Sequence, residues 1–276
     1  RSVASSLTTQ LGQSVYVENK PGAAGNIAMA EVKRAAPDGY TLILGHVGTL
    51  AVNPALFGAK LPYDPVKDFV AISLIAKVPN VIAVGQRSGF KTLADMVAAA
   101  KAKPGSINYG SAGNGSAGHL AMEYFAAEAG IELVHVPYKG QSLLITDMMG
   151  GRIAMYFSTI AVVKPYVESG KMRAFGVTSP KPSTAFPGVP AIGDAGLPGY
   201  AVENWYGLLA PAGTPAAVID TLQQTVKQIL LLPEVQQDLT KEGGEIGGES
   251  PAEFAKFLSI DIPRWKKIAV AAELAP

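Results

Sequence analysis

Residues 107–120 read INYGSAGNGSAGHL. The apolar start, Ile107-Asn108-Tyr109, has strand character; a glycine-rich turn follows, and from about Ser116 to Ala129 the chain reads as a helix. Strand, turn and helix in immediate succession are the repeating unit of an α/β fold. The turn also carries chemistry. A helix N-terminus presents unpaired backbone N–H groups and about half a positive charge, so it suits a small anion. Gly113-x-Gly115-x-x-Gly118 has the spacing of a dinucleotide-binding loop, which needs an acidic residue about twenty positions further on to hold the ribose. The next strand ends Val134-His135-Val136-Pro137-Tyr138, without Asp or Glu. A carboxylate is therefore favoured over a nucleotide, with Ser111 and Ser116 adding hydroxyl donors; a plain tight turn is the alternative.

Working outward, the alternation continues. Upstream, Ser14–Glu18, Tyr40–Leu44, Phe69–Ala76 and Asn80–Val84 read as strands and Gly25–Ala36 as a helix. Thr92-x-x-Asp95 is a capping-box pattern opening a helix with Leu93, Met96, Val97 and Ala100 on one face. Downstream come strand Glu132–Val136, helix Gln141–Met149, strand Arg152–Phe157, helix Ala161–Glu168 and strand Arg173–Thr178. A proline-rich stretch, 181–198, precedes two short strands, Ala201–Glu203 and Tyr206–Ala210. Thr214-Pro215 reads as an N-cap with proline at the first helical position, followed by Val218, Leu222, Val226 and Ile229 at helical spacing. Ser250-Pro251-x-Glu253 opens a last helix with Phe254, Phe257, Leu258 and Trp265 as its apolar stripe and a kink expected at Pro263. The expectation is an α/β protein with mixed, mostly parallel sheets. The chain begins in an amphipathic helix, Arg1–Leu11, before which such a fold normally places a strand.

Composition narrows the function. Of 276 residues, 48% are hydrophobic and 16% charged, enough for a large core and unlike a disordered chain. The net charge is +1 and no Lys/Arg cluster stands out, so no nucleic-acid partner is expected. There is no cysteine, which excludes disulfides, thiol nucleophiles and zinc–thiolate sites. The three histidines, His46, His119 and His135, lack metal-ligand spacing, so no metal or cofactor is expected; His119 reads as a packed or capping residue and His135 as core. No G-x-S-x-G elbow occurs, no run reaches the ~18–20 apolar residues of a membrane span, and no catalytic function is expected.

Seven segments together resemble one family: VENKPGAAGNIA (17–28), AAPDGYTLILG (35–45), LPYDPVKDF (61–69), YGSAGNGSAGHLA (109–121), VHVPYKG (134–140), AGLPGY (195–200) and GLLAPAGTP (207–215). They are similar, in order, to the substrate-binding proteins of tripartite tricarboxylate transporters, also called the Bug family. The resemblance implies a two-lobed, type II periplasmic binding protein with crossover strands, a removed signal peptide, a periplasmic location, and a transporter's membrane components as partner. It implies a di- or tricarboxylate or an aromatic acid as ligand, held between the lobes of a monomer. The lobes are expected at 1–84 with 207–276, and at 85–206. Carried over by motif, the ligand-binding positions are Gly45, His46, Gly48 and Thr49 in the first lobe. In the second they are Ser111, Ala112, Gly113, Asn114, Gly115 and Ser116, with Phe157 and Ser158 from a later strand. Amino-acid-binding relatives tend to carry Asp where this chain has Ser158; an ammonium buried here without a counter-charge would cost several kcal/mol, so a ligand without an amine is expected. A sensory domain of the same fold and an NAD-dependent α/β enzyme are the alternatives.

Overall fold

The computed structural model describes residues 1–271 apart from Asn114, Gly115, Gly140 and Glu242. In chain order, α1 (Ser2–Leu11) and α2 (Asn26–Lys33) precede β1 (Ile43–His46), α3 (Asn53–Phe57) and the long strand β2 (Phe69–Gly85). Then come α4 (Leu93–Ala102), β3 (Asn108–Ser111), α5 (Ala117–Ala129), β4 (Val134–Pro137), α6 (Gln141–Gly150), β5 (Met155–Thr159), α7 (Ile160–Glu168) and β6 (Met172–Val177). The chain closes with β7 (Glu203–Pro211), α8 (Ala216–Ile229), α9 (Pro233–Lys241), β8 (Glu245–Ile246) and α10 (Pro251–Ala271). Two compact units result. One comprises Arg1–Lys77 and Trp205–Ala269, the other Val78–Asn204.

In the first unit β1 pairs antiparallel with β7, β7 lies beside β2, and Ala76 and Lys77 of β2 pair antiparallel with β8. The helical stripe read at 218–229 is real: Leu222, Val226 and Ile229 are buried with Leu7 of α1 and Ile72 of β2. Each such side chain contributes about 1.5–3 kcal/mol on burial, so Val226→Asp would remove one and strand a charge in its place. The α10 stripe is buried at Phe254, Leu258 and Trp265. The Ser250–Glu253 capping box forms reciprocally, with Ser250 N donating to Glu253 Oε2 (2.9 Å) and Glu253 N to Ser250 Oγ (3.3 Å). The indoles of Trp205 and Trp265 donate to the same oxygen, Asp261 Oδ2, at 2.8 and 3.1 Å. Burial raises the Asp261 pKa, opposed by those two donors and by Arg264 and Lys77.

In the second unit the strand order is β6-β2-β5-β3-β4. The parallel pairing expected from strand–helix alternation holds for β3 with β4 and β3 with β5. β2, which enters without a crossover helix, is antiparallel to both β5 and β6. One core face collects Val81, Ala83, Leu144, Met148, Val163 and Val177. The Thr92–Asp95 capping box is present with both bonds made.

Several sequence expectations are corrected. Ser14–Glu18 forms no strand: Thr8 Oγ1 of α1 receives the Val15 amide at 2.9 Å, and Tyr16 is 83% exposed. Phe69–Ala76 and Asn80–Val84 are one strand, because Pro79 falls between the β8 ladder and the β5 ladder, where no backbone donor is required. Ala201–Glu203 and Tyr206–Ala210 likewise give way to the single strand β7. Thr214 does not cap α8; its hydroxyl donates to the Pro211 carbonyl at 2.8 Å, and Pro215 holds the cap position.

Candidate functional site

β3 and β5 are parallel neighbours, with Tyr109 opposite Met155 and Gly110 opposite Tyr156, so both strands end on one edge of the sheet. Each then feeds a helix. β5 passes directly into α7, whose N-cap Thr159 is extended (φ −68°, ψ 155°) and makes no side-chain cap bond. β3 passes through the glycine loop into α5, capped by Ser116. A Cβ placed on Gly118 would lie 3.5 Å from both Cδ1 and O of Phe157, which sets the first turn of α5 against the end of β5. Two helix N-termini thus share one edge, and neither carries an acidic residue in its first turn. The pair supplies unopposed backbone donors and partial positive charge, an arrangement suited to a carboxylate.

The loop itself is built from the residues expected to touch ligand. Ser111 Oγ accepts from the Gly113 amide (3.1 Å) and lies 2.6 Å from His135 Nε2 and 3.1 Å from Gly113 O. Gly113 sits at φ 122°, a backbone conformation open to glycine, and its carbonyl receives the Ser116 amide at 3.2 Å. Ser116 Oγ caps α5 by accepting from His119 N at 3.3 Å. Both hydroxyls are thus engaged inside the protein, while Ala112 is exposed. Asn114 and Gly115, also expected here, lie outside the described residues. Phe157 and Ser158 are buried, and Ser158 pairs with Val81 of β2, on the face of the sheet that packs the core with Tyr156.

His119 and His135 support the loop from below. Their rings stack with centroids 3.8 Å apart at 16°, and His135 stacks in turn on Tyr109 at 5.0 Å. The Tyr109 hydroxyl donates to Glu123. Burial, reinforced by the neighbouring His119, pushes His135 down to about 4, and burial lowers His119 as well. Both shifts favour the neutral imidazole. His119 is packed, as expected; His135, expected in the core, is half-buried and linked to the loop through Ser111.

In the first unit, Gly45, His46, Gly48 and Thr49 do meet at the end of β1. Gly48 N donates to His46 Nδ1 (2.9 Å), which leaves the neutral ring's proton on Nε2. Thr49 Oγ1 exchanges bonds with the amide and carbonyl of His46, both at 3.2 Å. Behind them Asn53 Nδ2 donates to Asn26 Oδ1 (2.7 Å) and to Ala24 O (2.9 Å), and the Tyr63 hydroxyl bonds Asn26 Oδ1 and Thr49 O. Ala23 and Ala24 are held at φ 46° and 55°, positive values that cost a non-glycine residue about 1–3 kcal/mol each and persist because this network fixes them.

One residue was missed by the sequence reading. Asn80 of β2 is 2% exposed, and its Nδ2 has no hydrogen-bond partner. The signal available was a lone amide inside the apolar run Val78–Val84.

Residues 1–274 match the family model described as "Tripartite tricarboxylate transporter family receptor". Among solved structures, the chain is similar to Rpa4515 of R. palustris with adipate, at 35% identity and TM-score 0.84, covering 99% of this chain and 91% of that one. It is similar to MatC of Rhodopseudomonas palustris with bound malate, at 30% identity and TM-score 0.81, covering 97% and 92%. It is also similar to the periplasmic binding protein BugD, at 30% identity and TM-score 0.79, covering 100% and 92%.

Proposed function

Because this chain belongs to the tripartite tricarboxylate transporter receptor family, a family of solute-binding receptors and not of enzymes, we propose that it captures a small dicarboxylate in the periplasm and delivers it to the membrane components of a tripartite transporter. The observation that carries this reading is the pair of acid-free helix N-termini, α5 and α7, on the shared edge of β3 and β5. A hydrogen bond to a charged acceptor contributes roughly 1.5–3 kcal/mol, and micromolar affinity needs about −8 kcal/mol. A few first-turn amides with one or two side-chain donors suffice after ordering costs are subtracted.

The adipate and malate carried by the two neighbours are both dicarboxylates without an amine. Among the described residues no helix is long and apolar enough to cross a membrane.

Calorimetry and thermal unfolding with adipate, malate, citrate and aspartate test the reading. The expected result is saturable binding of at least one amine-free carboxylate, with a rise of several degrees in Tm at ligand far above Kd. Binding of aspartate alone, or of none of the four, overturns it.

A further inference from the structure

We propose that Asn80 is a ligand-binding residue, its side-chain amide donating a hydrogen bond to a carboxylate oxygen of the bound solute; this rests on the function proposed above. Asn80 pairs with Thr159 and Ile82 with Phe157, so these four side chains share one face of the sheet. Phe157 is the residue against which the first turn of α5 rests, so that face is the one carrying α5. Asn80 therefore lies beside the strand that opens α7 and on the face of the α5 terminus. Its backbone is fully paired, the amide to Thr178 Oγ1 (2.9 Å) and the carbonyl to Thr178 N (2.8 Å). Its Oδ1 accepts from Asn204 Nδ2 at 3.3 Å. Only Nδ2 is left without a partner, at 2% exposure of the residue.

A buried donor left unmade is costly, so native proteins rarely retain one without a use. An apolar residue would fit this run of Val78, Val81, Ile82 and Val84 better. The bond from Asn204 sets the amide so that its N–H₂ end is the free one. A donor with no acceptor, next to two helix N-termini with no acid, is matched by a ligand oxygen bearing negative charge.

Asn80→Leu removes the donor while keeping side-chain size. The expected result is a loss of tenfold or more in affinity for whichever of adipate and malate the unaltered chain binds, with ligand-free Tm unchanged or higher. Equal affinity in the variant and the unaltered chain overturns the assignment and leaves the function intact. An unaltered chain that binds neither acid overturns both. Should the variant fold poorly, the side-chain amide resonances of Asn80 in the unaltered chain decide: a shift on saturation with the acid supports the bond, and resonances that stay in place overturn it.

Discussion

The two corners that end β1 and β3–β5 use similar residue types to opposite ends. At β1, His46, Gly48, Thr49, Asn26, Asn53 and Tyr63 satisfy one another, and the strained Ala23 and Ala24 are held by that closed network. At β3–β5, the hydroxyls of Ser111 and Ser116 are spent on shaping the loop and capping α5, while Asn80 Nδ2 has no hydrogen-bond partner. Polar residues near a strand end thus signal two different things. Where the bonds close, they hold the chain rigid; where a buried donor stays open, it is the group the proposed ligand contact would use.

The largest effect expected from this contrast is in the first unit. Asn53→Ala strips a donor from both Asn26 and Ala24 inside the buried network and should cost about 2–4 kcal/mol of stability. Urea unfolding measures it. If stability holds and carboxylate affinity collapses instead, the β1 corner is a ligand site and the contrast fails.

A second effect concerns pH. The folded pKa of His135 lies near 4, below its ordinary value of 6.5, so the fold favours the neutral ring. Its contribution to stability is complete above about 6.5 and is lost as pH falls through the window toward about 4. The groups facing it are His119 and Glu123 on α5 and Tyr109 and Ser111 on β3. Since His46 is also lowered by burial, the informative quantity is the difference between the unaltered chain and His135→Gln. The variant should show a shallower decline in Tm between pH 6.5 and 4.5; superimposable profiles would remove His135 from the support of the loop.

The smallest expected change is at Gly118. A methyl group there would make ordinary contacts at 3.5 Å, and alanine is the better helix former, so Gly118→Ala should leave stability unchanged or raise it by a few tenths of a kcal/mol. A loss above about 1 kcal/mol in chemical denaturation would mean that the α5 terminus packs on Phe157 more tightly than these distances allow.

Most elements were legible in the sequence because their signals are local: the capping boxes at Thr92 and Ser250, the periodic stripe of α8, and the strand–turn–helix at 107–129. The failures were non-local. Pro79 reads as a break unless one knows that its neighbours ladder with different strands. Ser14–Glu18 reads as a strand but pairs with no other strand among the described residues. For the candidate site, the glycine loop and the Phe157–Ser158 strand end were singled out from the sequence, and the structure brings them to one edge of the sheet. The sequence could not reveal that the serine hydroxyls bond inward or that Asn80 is left with an unmatched amide, since both depend on residues 24 to 124 positions away.

Both tryptophans of the chain donate to one carboxylate, Asp261, in the first unit. Intrinsic emission is consequently a local gauge of that buried acid. A blue or red displacement during denaturation reports the moment when the α10 anchor lets go.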